Sequence, residues 1–179
     1  LNSRIADPAY DYRIYKWLPQ LVFDHKGNVQ EYIYKAEDIV NVPEMVHERN
    51  RIANDSFANT YLKEVRYCNE NPQFVSDSTT EDIFEPTLSS PGFLLKLVLD
   101  YGEHSLLDPQ PDDAGNWSYR MDASSDFHAG FEIRTFRKCE RVLMFHQFAE
   151  LNSGTPTVVK SLDLEWRYDD VGDPELREV

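Results

Sequence analysis

Alternation of apolar and polar residues at every second position is the dominant pattern along the chain, and it predicts β-strands. In the stretch 93–102, FLLKLVLDYG, the apolar residues fall on one face of a strand: Phe93, Leu95, Leu97, Leu99 and Tyr101. The stretch 158–168, VVKSLDLEWRY, alternates most regularly. Its predicted buried face holds Leu162, Leu164, Trp166 and Tyr168, and its predicted wet face holds Ser161, Asp163, Glu165 and Arg167. A strand with one buried and one wet face is typical of antiparallel sheets.

Turn residues divide the remaining pattern into a hairpin, further strands and long loops. The apolar runs LPQLVF and VQEYIYK flank DHKGN, where Gly27 and Asn28 supply the positive φ of a tight reversal. YLKEVRY, residues 61–67, predicts another strand. Residues 35–57 are the best place for a helical turn, although Pro43 interrupts any long helix. The polar stretches 69–92 and 104–126 predict long loops.

These elements together predict one domain over residues 1–179 that is mainly β. We expect antiparallel sheets with long loops and little helix, in a sandwich-like arrangement or as a curved shell segment. A chain of 179 residues is long enough to bury a sizeable core. Because it opens LNSRIADP without Met, we expect it to be a piece of a longer polypeptide.

The stretch 131–148, FEIRTFRKCERVLMFHQF, is too long for one straight strand. At about 3.3 Å per residue it would extend roughly 60 Å, so we expect a bend or bulge near residues 138–141. The bend would give two strands, or one strand that crosses between sheets. We expect its arginines, Arg134, Arg137 and Arg141, to form surface salt bridges with acidic strands such as 163–170, worth about 0–1 kcal/mol each.

Cys139 and His146 raise the question of a metal or reactive site in this stretch. They are seven residues apart, so on an unbent strand they point to opposite faces, and no C-x-x-C or H-x₃-H spacing accompanies them. The spacing favours a half-buried thiol and a strand-edge histidine. Cys68 and Cys139 are the two cysteines of the chain, and whether they pair is left open.

Other candidate chemistry is equally weak. Asp100 and Glu103 form a conceivable carboxylate pair for glycoside hydrolysis, but 32 acidic residues make chance pairs common. The loop 108–116, DPQPDDAGN, offers oxygen ligands for Ca²⁺ without the spacing of an EF-hand loop. A solvated acidic loop is the simpler interpretation. We therefore expect no catalytic residues, no metal and no cofactor.

Charge and hydropathy restrict the classes of partner. The formal net charge of −14 disfavours nucleic acid and anionic membranes, because phosphates repel an acidic surface. No apolar run approaches 18 residues, so no membrane-spanning segment is expected.

Aromatic residues offer one candidate binding surface. Trp17, Trp117 and Tyr119 could stack on sugars or contact a neighbouring domain. The alternative, which we favour, is that such residues pack across a sheet or against another domain, because aromatic side chains chiefly bury area.

Several segments in a fixed order resemble a known family: SRIADP, KWLPQLVFDHKGNVQEYIYKAED, HERNR, YLKEVRYCN, LVLDYGEH and GFEIRTFRKCERVLMFHQF. Their order and content resemble the N-terminal SpvB-type domain, which also opens the TcaC-like B component of insecticidal toxin complexes. Two departures are visible. The family's D-P-F-S-x-Y-R-A before GFE is DASSDFHA here, and its usual Gly after RY is Cys68.

The resemblance implies a structural module of a secreted bacterial toxin, without an active site of its own. The implied partners are a β-propeller and RHS repeats of the same chain and a toxin C component, which together form a β-shell around a toxic C-terminal region. The ADP-ribosyltransferase activity of some relatives lies in a separate C-terminal region and does not carry over. A carbohydrate- or receptor-binding β-domain is the alternative.

Overall fold

The computed structural model describes residues 3–54, 57–74, 88–112 and 115–166, and within these ranges it contains ten strands and one short helix. In chain order they are β1 (Arg4–Asp7), β2 (Tyr10–Trp17), β3 (Leu21–Phe23), β4 (Val29–Ala36), α1 (Arg49–Asn54), β5 (Thr60–Asn69), β6 (Phe93–Asp100), β7 (Ser124–Asp126), β8 (Ile133–Thr135), β9 (Arg141–His146) and β10 (Thr157–Asp163). The prediction of antiparallel β structure with long loops and little helix is confirmed. No helix among the described residues is long and apolar enough to cross a membrane.

A six-stranded antiparallel sheet forms the body of the fold, in the order β10-β9-β6-β5-β4-β3. The predicted hairpin joins β3 to β4, and the Asp24 carboxylate accepts hydrogen bonds from the backbone N–H groups of Lys26 and Asn28. Gly27 has a φ of 83°, and a Cβ there would lie 2.7 Å from the Pro72 side chain. Both the turn and the close approach therefore require glycine.

The stretch 131–148 bends as predicted and supplies strands to two sheets. β8 pairs with β7 in a small two-stranded sheet, whereas β9 lies between β6 and β10 in the main sheet. β1 and β2 form a second two-stranded sheet. Residues 136–140 connect β8 to β9 and carry the chain from the one sheet to the other.

Two clusters of buried side chains form the core. Tyr61, Tyr101 and Trp117 make the first, with Val40, Leu99 and Cys139 packed against it. Val98, Leu143 and Phe145 make the second, and Val158 of β10 packs against it. The predicted apolar face of 93–102 is therefore not the only buried side of this strand. Val98, on the opposite face, is one of the most buried residues of β6.

The prediction of a buried face on 158–168 is wrong for the residues that the structure describes. Leu162 is 57% exposed and Trp166 47% exposed. β10 is the edge strand of the main sheet with β9 as its one described neighbour, so fewer same-face side chains surround Leu162 than surround residues of the central strands. β10 ends at Asp163, and the predicted positions Arg167 and Tyr168 lie outside the described residues.

Cys68 occupies a backbone conformation that suits glycine. Its φ is 60°, near the end of β5, and its side chain is exposed. For a residue with a Cβ this conformation costs about 1–2 kcal/mol. Glycine adopts this conformation without that strain, so Cys68 is held here at a cost in stability.

We expect Cys68→Gly to raise the free energy of unfolding by about 0.5–1 kcal/mol, because relief of the left-handed strain outweighs the added entropy of the unfolded chain. Urea unfolding followed by circular dichroism measures the change. Cys68→Ser is the matched control, since it removes the thiol and keeps the Cβ. A glycine variant no more stable than the serine variant would contradict this account.

Candidate interaction surface and buried ion pairs

The three arginines of the stretch 131–148 lie inside the protein, where each meets a carboxylate from a distant segment. Arg134 pairs with Glu48, Arg137 with Glu37, and Arg141 with Asp100. The prediction of surface salt bridges with residues 163–170 is therefore wrong. The three carboxylates are buried, and a buried charge is stable only when it is paired and hydrogen-bonded. The arginines therefore pair with these carboxylates in the interior instead of with surface residues.

Arg137 and Glu37 form the most enclosed of these pairs, with both side chains fully buried. The Arg137 Nε donates to both oxygens of Glu37, at 3.1 and 3.0 Å. Its Nη1 donates to the backbone carbonyls of Val40 at 2.8 Å and of Trp117 and Ser118 at 3.3 Å each. One guanidinium thus holds the segment after β4 and the long loop before β7 against the β8–β9 connection.

Trp117 is fully buried beside this pair, so the prediction that it belongs to a binding or interdomain surface is wrong. Its Nε1 donates to the Asp38 carboxylate at 2.6 Å, and Lys35 Nζ lies 4.0 Å from its ring centroid. Arg137 also stacks on the ring, with Cζ 4.3 Å from the centroid. The hydrogen bond and the two cations satisfy both the polar edge and the π-face of the indole, which makes burial favourable.

Asp100 and Glu103 lie close together as considered from the sequence, but both are structural. The Asp100 carboxylate accepts the backbone N–H groups of Gly102, Glu103 and His104 at 2.8, 3.1 and 3.3 Å, and it pairs with Arg141. The Glu103 carboxylate accepts the Tyr101 N–H at 2.7 Å and pairs with Lys63. Both carboxylates close the turn that follows β6, and neither has a free oxygen in a cleft for acid–base chemistry.

Glu48 extends the network to the region around α1. It is fully buried, and Arg51 pairs with it at 3.3 Å in addition to Arg134. Arg51 also donates to Glu132 at 2.8 Å. The pairs therefore tie the segment before α1 to β8 and to the residue that precedes it.

Titratable groups in the first core are held neutral. Burial, followed by the negative charge of Glu37, raises the pKa of Tyr61, and burial also raises the pKa of Tyr101. Burial likewise raises the pKa of the Cys139 thiol, which donates to the Arg141 carbonyl at 3.2 Å. A thiol of this kind is a poor nucleophile.

Cys68 and Cys139 are both free thiols. His146 lies on β9 with its ring edge against Phe148, at 5.5 Å between centroids. Among the described residues no group of three His, Cys, Asp or Glu side chains is arranged to hold a metal ion. Asp113 of the acidic loop 108–116 lies outside those residues.

A broad apolar surface covers one face of the main sheet, and we call it the apolar face. Paired positions share a face of a sheet, so the strand register defines it. Its first row runs Tyr32, Val65, Leu97 and Met144, its second runs Tyr67, Leu95 and His146, and its third runs Leu99, Val142 and Leu162. Apart from the exposed Leu162, every member is half-buried, and only Leu99 belongs to a core cluster.

The opposite face of the sheet carries ion pairs between β4, β5 and β6, which the apolar face lacks among its named residues. There Arg66 bridges Glu31 at 3.1 Å and Glu64 at 2.8 Å, and Lys96 lies 3.6 Å from Glu64. The opposite face thus combines these ion pairs on β5 and β6 with the buried second core cluster of Val98, Leu143 and Phe145, whereas the apolar face carries partly exposed aliphatic and aromatic groups. Contiguous apolar patches that are exposed on a protein surface often mark sites of interaction with another protein or domain.

The two remaining aromatic candidates lie apart from each other. Trp17 is 68% exposed at the end of β2, whose Tyr10, Tyr12 and Tyr15 are also exposed. Tyr119 is half-buried and packs on Phe136 at 6.0 Å between centroids. The structure therefore does not gather Trp17, Trp117 and Tyr119 into one surface, and only Trp17 is open to a ligand.

Comparisons with known proteins agree with the fold. Residues 1–148 match the model of the family described as SpvB, Salmonella virulence plasmid 65kDa B protein. The mono(ADP-ribosyl)transferase SpvB of Salmonella typhimurium is 34% identical over 170 residues, which cover 92% of this chain and 27% of that protein. The chain thus spans about a quarter of the length of the curated relatives it matches.

Solved structures give the same result. The N-terminal domain of effector protein SpvB from Salmonella typhimurium strain LT2 has a TM-score of 0.80 at 30% identity, covering 95% of this chain and 52% of that one. The Photorhabdus luminescens Tc holotoxin pore has a TM-score of 0.74 at 31% identity, covering 92% of this chain and 8% of that one. TcdB2-TccC3 has a TM-score of 0.73 at 31% identity with the same coverage.

We expect Arg137→Met to lower the free energy of unfolding by about 3–5 kcal/mol, because it leaves the buried Glu37 carboxylate without its cation. Adding Glu37→Gln removes that charge and should recover at least about 1 kcal/mol. Chemical unfolding of both single variants and the double variant gives the coupling energy.

Arg13→Met is the control, because Arg13 pairs with Asp7 at the surface at 3.7 Å. Its loss should cost no more than about 1 kcal/mol. Equal costs for Arg13→Met and Arg137→Met would contradict the role given to the buried pair.

Proposed function

The chain belongs to the SpvB family of Salmonella virulence plasmid 65 kDa B proteins, and we propose that it is a structural module of a secreted bacterial toxin. Its relatives are virulence and Tc toxin proteins, so it is a toxin-associated domain. The module packs its apolar face against the rest of the toxin polypeptide and contributes a wall segment to a β-shell. That shell encapsulates or presents a toxic C-terminal region.

The apolar face is the observation that carries this proposal. Central positions such as Leu95, Leu97 and Met144 are apolar yet only half-buried, whereas the second core cluster on the opposite face of the same strands is fully buried. Removing apolar surface from water stabilises by about 25 cal/mol per Å². A covering layer from elsewhere in the polypeptide would gain that stabilisation across three rows of side chains.

The coverage of relatives supports a large parent polypeptide. The chain matches 27% of the curated Salmonella protein and 8% of the TcdB2-TccC3 chain, so most of each relative lies outside the match. The partners proposed are therefore other domains of the same chain, a β-propeller and RHS repeats, together with a toxin C component. Secretion follows from the same family role.

Catalysis is not part of the proposed role of this domain. The polar groups that could perform it, Asp100, Glu103 and Cys139, are engaged in ion pairs or held neutral by burial. The mono(ADP-ribosyl)transferase named among the relatives is matched over about a quarter of its length. We propose that the transferase activity belongs to a region of the relatives beyond this match.

The reading frame that encodes residues 1–179 is the first test. We expect it to continue into propeller and RHS repeats and to end in a variable C-terminal region. A frame that ends near residue 179 would overturn the proposal, since the polypeptide would then contain no further domains to pack on the apolar face.

We expect Leu97→Asp to act differently in the domain and in the full polypeptide. In residues 1–179 alone the new carboxylate stays partly hydrated and should cost about 1–2 kcal/mol. In the full polypeptide it would be buried under the covering layer and should cost about 3–5 kcal/mol. Thermal unfolding and limited proteolysis of both proteins measure the difference.

Val46→Asp is the matched control, because Val46 is 84% exposed and lies outside the apolar face. It should change neither protein measurably. Equal effects of Leu97→Asp in the short and the full polypeptide would show that the apolar face stays uncovered, which contradicts the proposed packing.

Carbohydrate or receptor binding is the second candidate function, and the exposed aromatic residues of β2 favour it. Tyr12 and Trp17 are the most exposed of them, at 70% and 68%. Exposed aromatic rings on a strand are suited to stacking on sugar rings.

If this candidate is correct, we expect glycans added to the protein to change the fluorescence of Trp17. Trp17→Phe should abolish that change, which assigns it to Trp17 rather than to the buried Trp117 or to Trp166. A flat titration across a glycan panel would remove carbohydrate binding from consideration.

A further inference from the structure

A polar cleft lies where the β1–β2 turn, the start of α1 and the segment before β8 meet, and we call it the hairpin cleft. Its volume is 440 Å³, within the range of about 300–1,000 Å³ that is usual for small-ligand sites. None of its residues belongs to the apolar face. Its principal side chains are Asp7, His47, Asn50, Arg51, Phe131 and Glu132.

Hydrogen-bond donors and acceptors stand side by side in the hairpin cleft. The Arg51 Nε donates to both carboxylate oxygens of Glu132, at 2.8 and 2.9 Å, and its Nη1 donates to the His47 carbonyl at 2.6 Å. The Ser125 hydroxyl also donates to Glu132. These bonds fix the orientation of both groups. A guanidinium has more N–H donors, and a carboxylate more lone pairs, than they use, so both can bond to a ligand as well.

Asp7 supplies a second fixed carboxylate, on the hairpin side of the cleft. Its Oδ1 accepts the Ala9 N–H at 2.9 Å, and its Oδ2 lies 3.7 Å from the Arg13 guanidinium. Asn50, exposed on α1, adds a side-chain amide that can both donate and accept. Hydrogen-bonding groups therefore reach the cleft from each of the three segments that line it.

Phe131 gives the cleft an apolar surface beside these polar groups. Its ring is half-buried and meets the Tyr15 ring edge-on, at 6.5 Å between centroids and 86° between planes. The contact holds the Phe131 ring against β2. An aromatic ring next to hydrogen-bonding groups suits a ligand that has both C–H faces and hydroxyl groups.

The charges that line the hairpin cleft are already paired, which favours a neutral ligand. Glu132 pairs with Arg51, and Asp7 pairs with Arg13. An added anion or cation would compete with one partner of an existing pair. A hydroxyl group can donate to the carboxylate and accept from the guanidinium without separating them.

We infer that the hairpin cleft binds a neutral saccharide. One face of the sugar ring would stack on Phe131, and its hydroxyl groups would donate to the carboxylates and accept from Arg51 or Asn50. Saccharide binding here goes beyond the structural role proposed above and does not depend on it. The cleft is also a different site from Trp17, which lies at the opposite end of β2 from the β1–β2 turn.

Calorimetric titration of the full polypeptide with the methyl glycosides of glucose, galactose, mannose and N-acetylglucosamine tests the inference. We expect at least one of the four to bind. Asn50→Ala should weaken that binding about 5-fold, because one hydrogen bond is lost. Phe131→Leu should weaken it at least about 10-fold, because the aromatic surface is lost. Asn116→Ala is the matched control and should leave the affinity unchanged, since Asn116 is exposed and does not line the cleft.

The contrary outcomes are distinct from one another. Absence of binding by all four glycosides would overturn the inference. Binding that persists in both cleft variants, or that Trp17→Phe abolishes, would overturn it by placing the saccharide elsewhere. Tighter binding of glucosamine or glucuronic acid would overturn the preference for a neutral ligand. Should Phe131→Leu fail to fold, Asn50→Ala decides the test, because alanine favours the helix in which Asn50 lies.

Discussion

The ion pair between Arg137 and Glu37 is the interaction on which the rest of the arrangement depends. Both groups are fully buried, and the same guanidinium holds carbonyls of two further segments and stacks on Trp117. The β8–β9 connection, the end of β4 and the loop before β7 therefore meet at one cation. A buried carboxylate without that cation would carry a penalty of several kcal/mol, so the three segments are constrained to fold together.

The same logic repeats at Glu48 and Asp100, and it gives the stretch 131–148 its role. Each of its three arginines neutralises a buried carboxylate from a different part of the chain. Through these ion pairs the stretch holds the small β7–β8 sheet, the main sheet and the turn after β6 in fixed positions relative to one another. Each buried pair takes one positive and one negative charge from the surface, so the formal net charge of −14 is carried by the remaining exposed groups.

Local pattern predicted the strands, the Gly27–Asn28 turn and the division of 131–148, because each depends on residues close in sequence. It failed where long-range neighbours decide. Arg137 and Trp117 look like surface and loop residues until Glu37 and Asp38, which lie far away in sequence, are placed beside them. The alternation in 158–168 indicates which side chains share a face of the strand, but it does not indicate that the strand lies at the edge of the sheet. Arginines set among aromatic residues in a strongly acidic chain were the one available sign of buried pairs.

The apolar face, half-buried among the residues that the structure describes, has a consequence for synthesis under the proposed function. In relatives where this domain is N-terminal, it leaves the ribosome before the segments proposed to cover it. At about 5–20 residues per second, several hundred further residues take on the order of tens of seconds to appear. During that interval the domain exposes apolar surface that can associate with other proteins at the high concentrations of the cell. A formal net charge of −14 would make such nascent domains repel one another during that interval and so reduce their association.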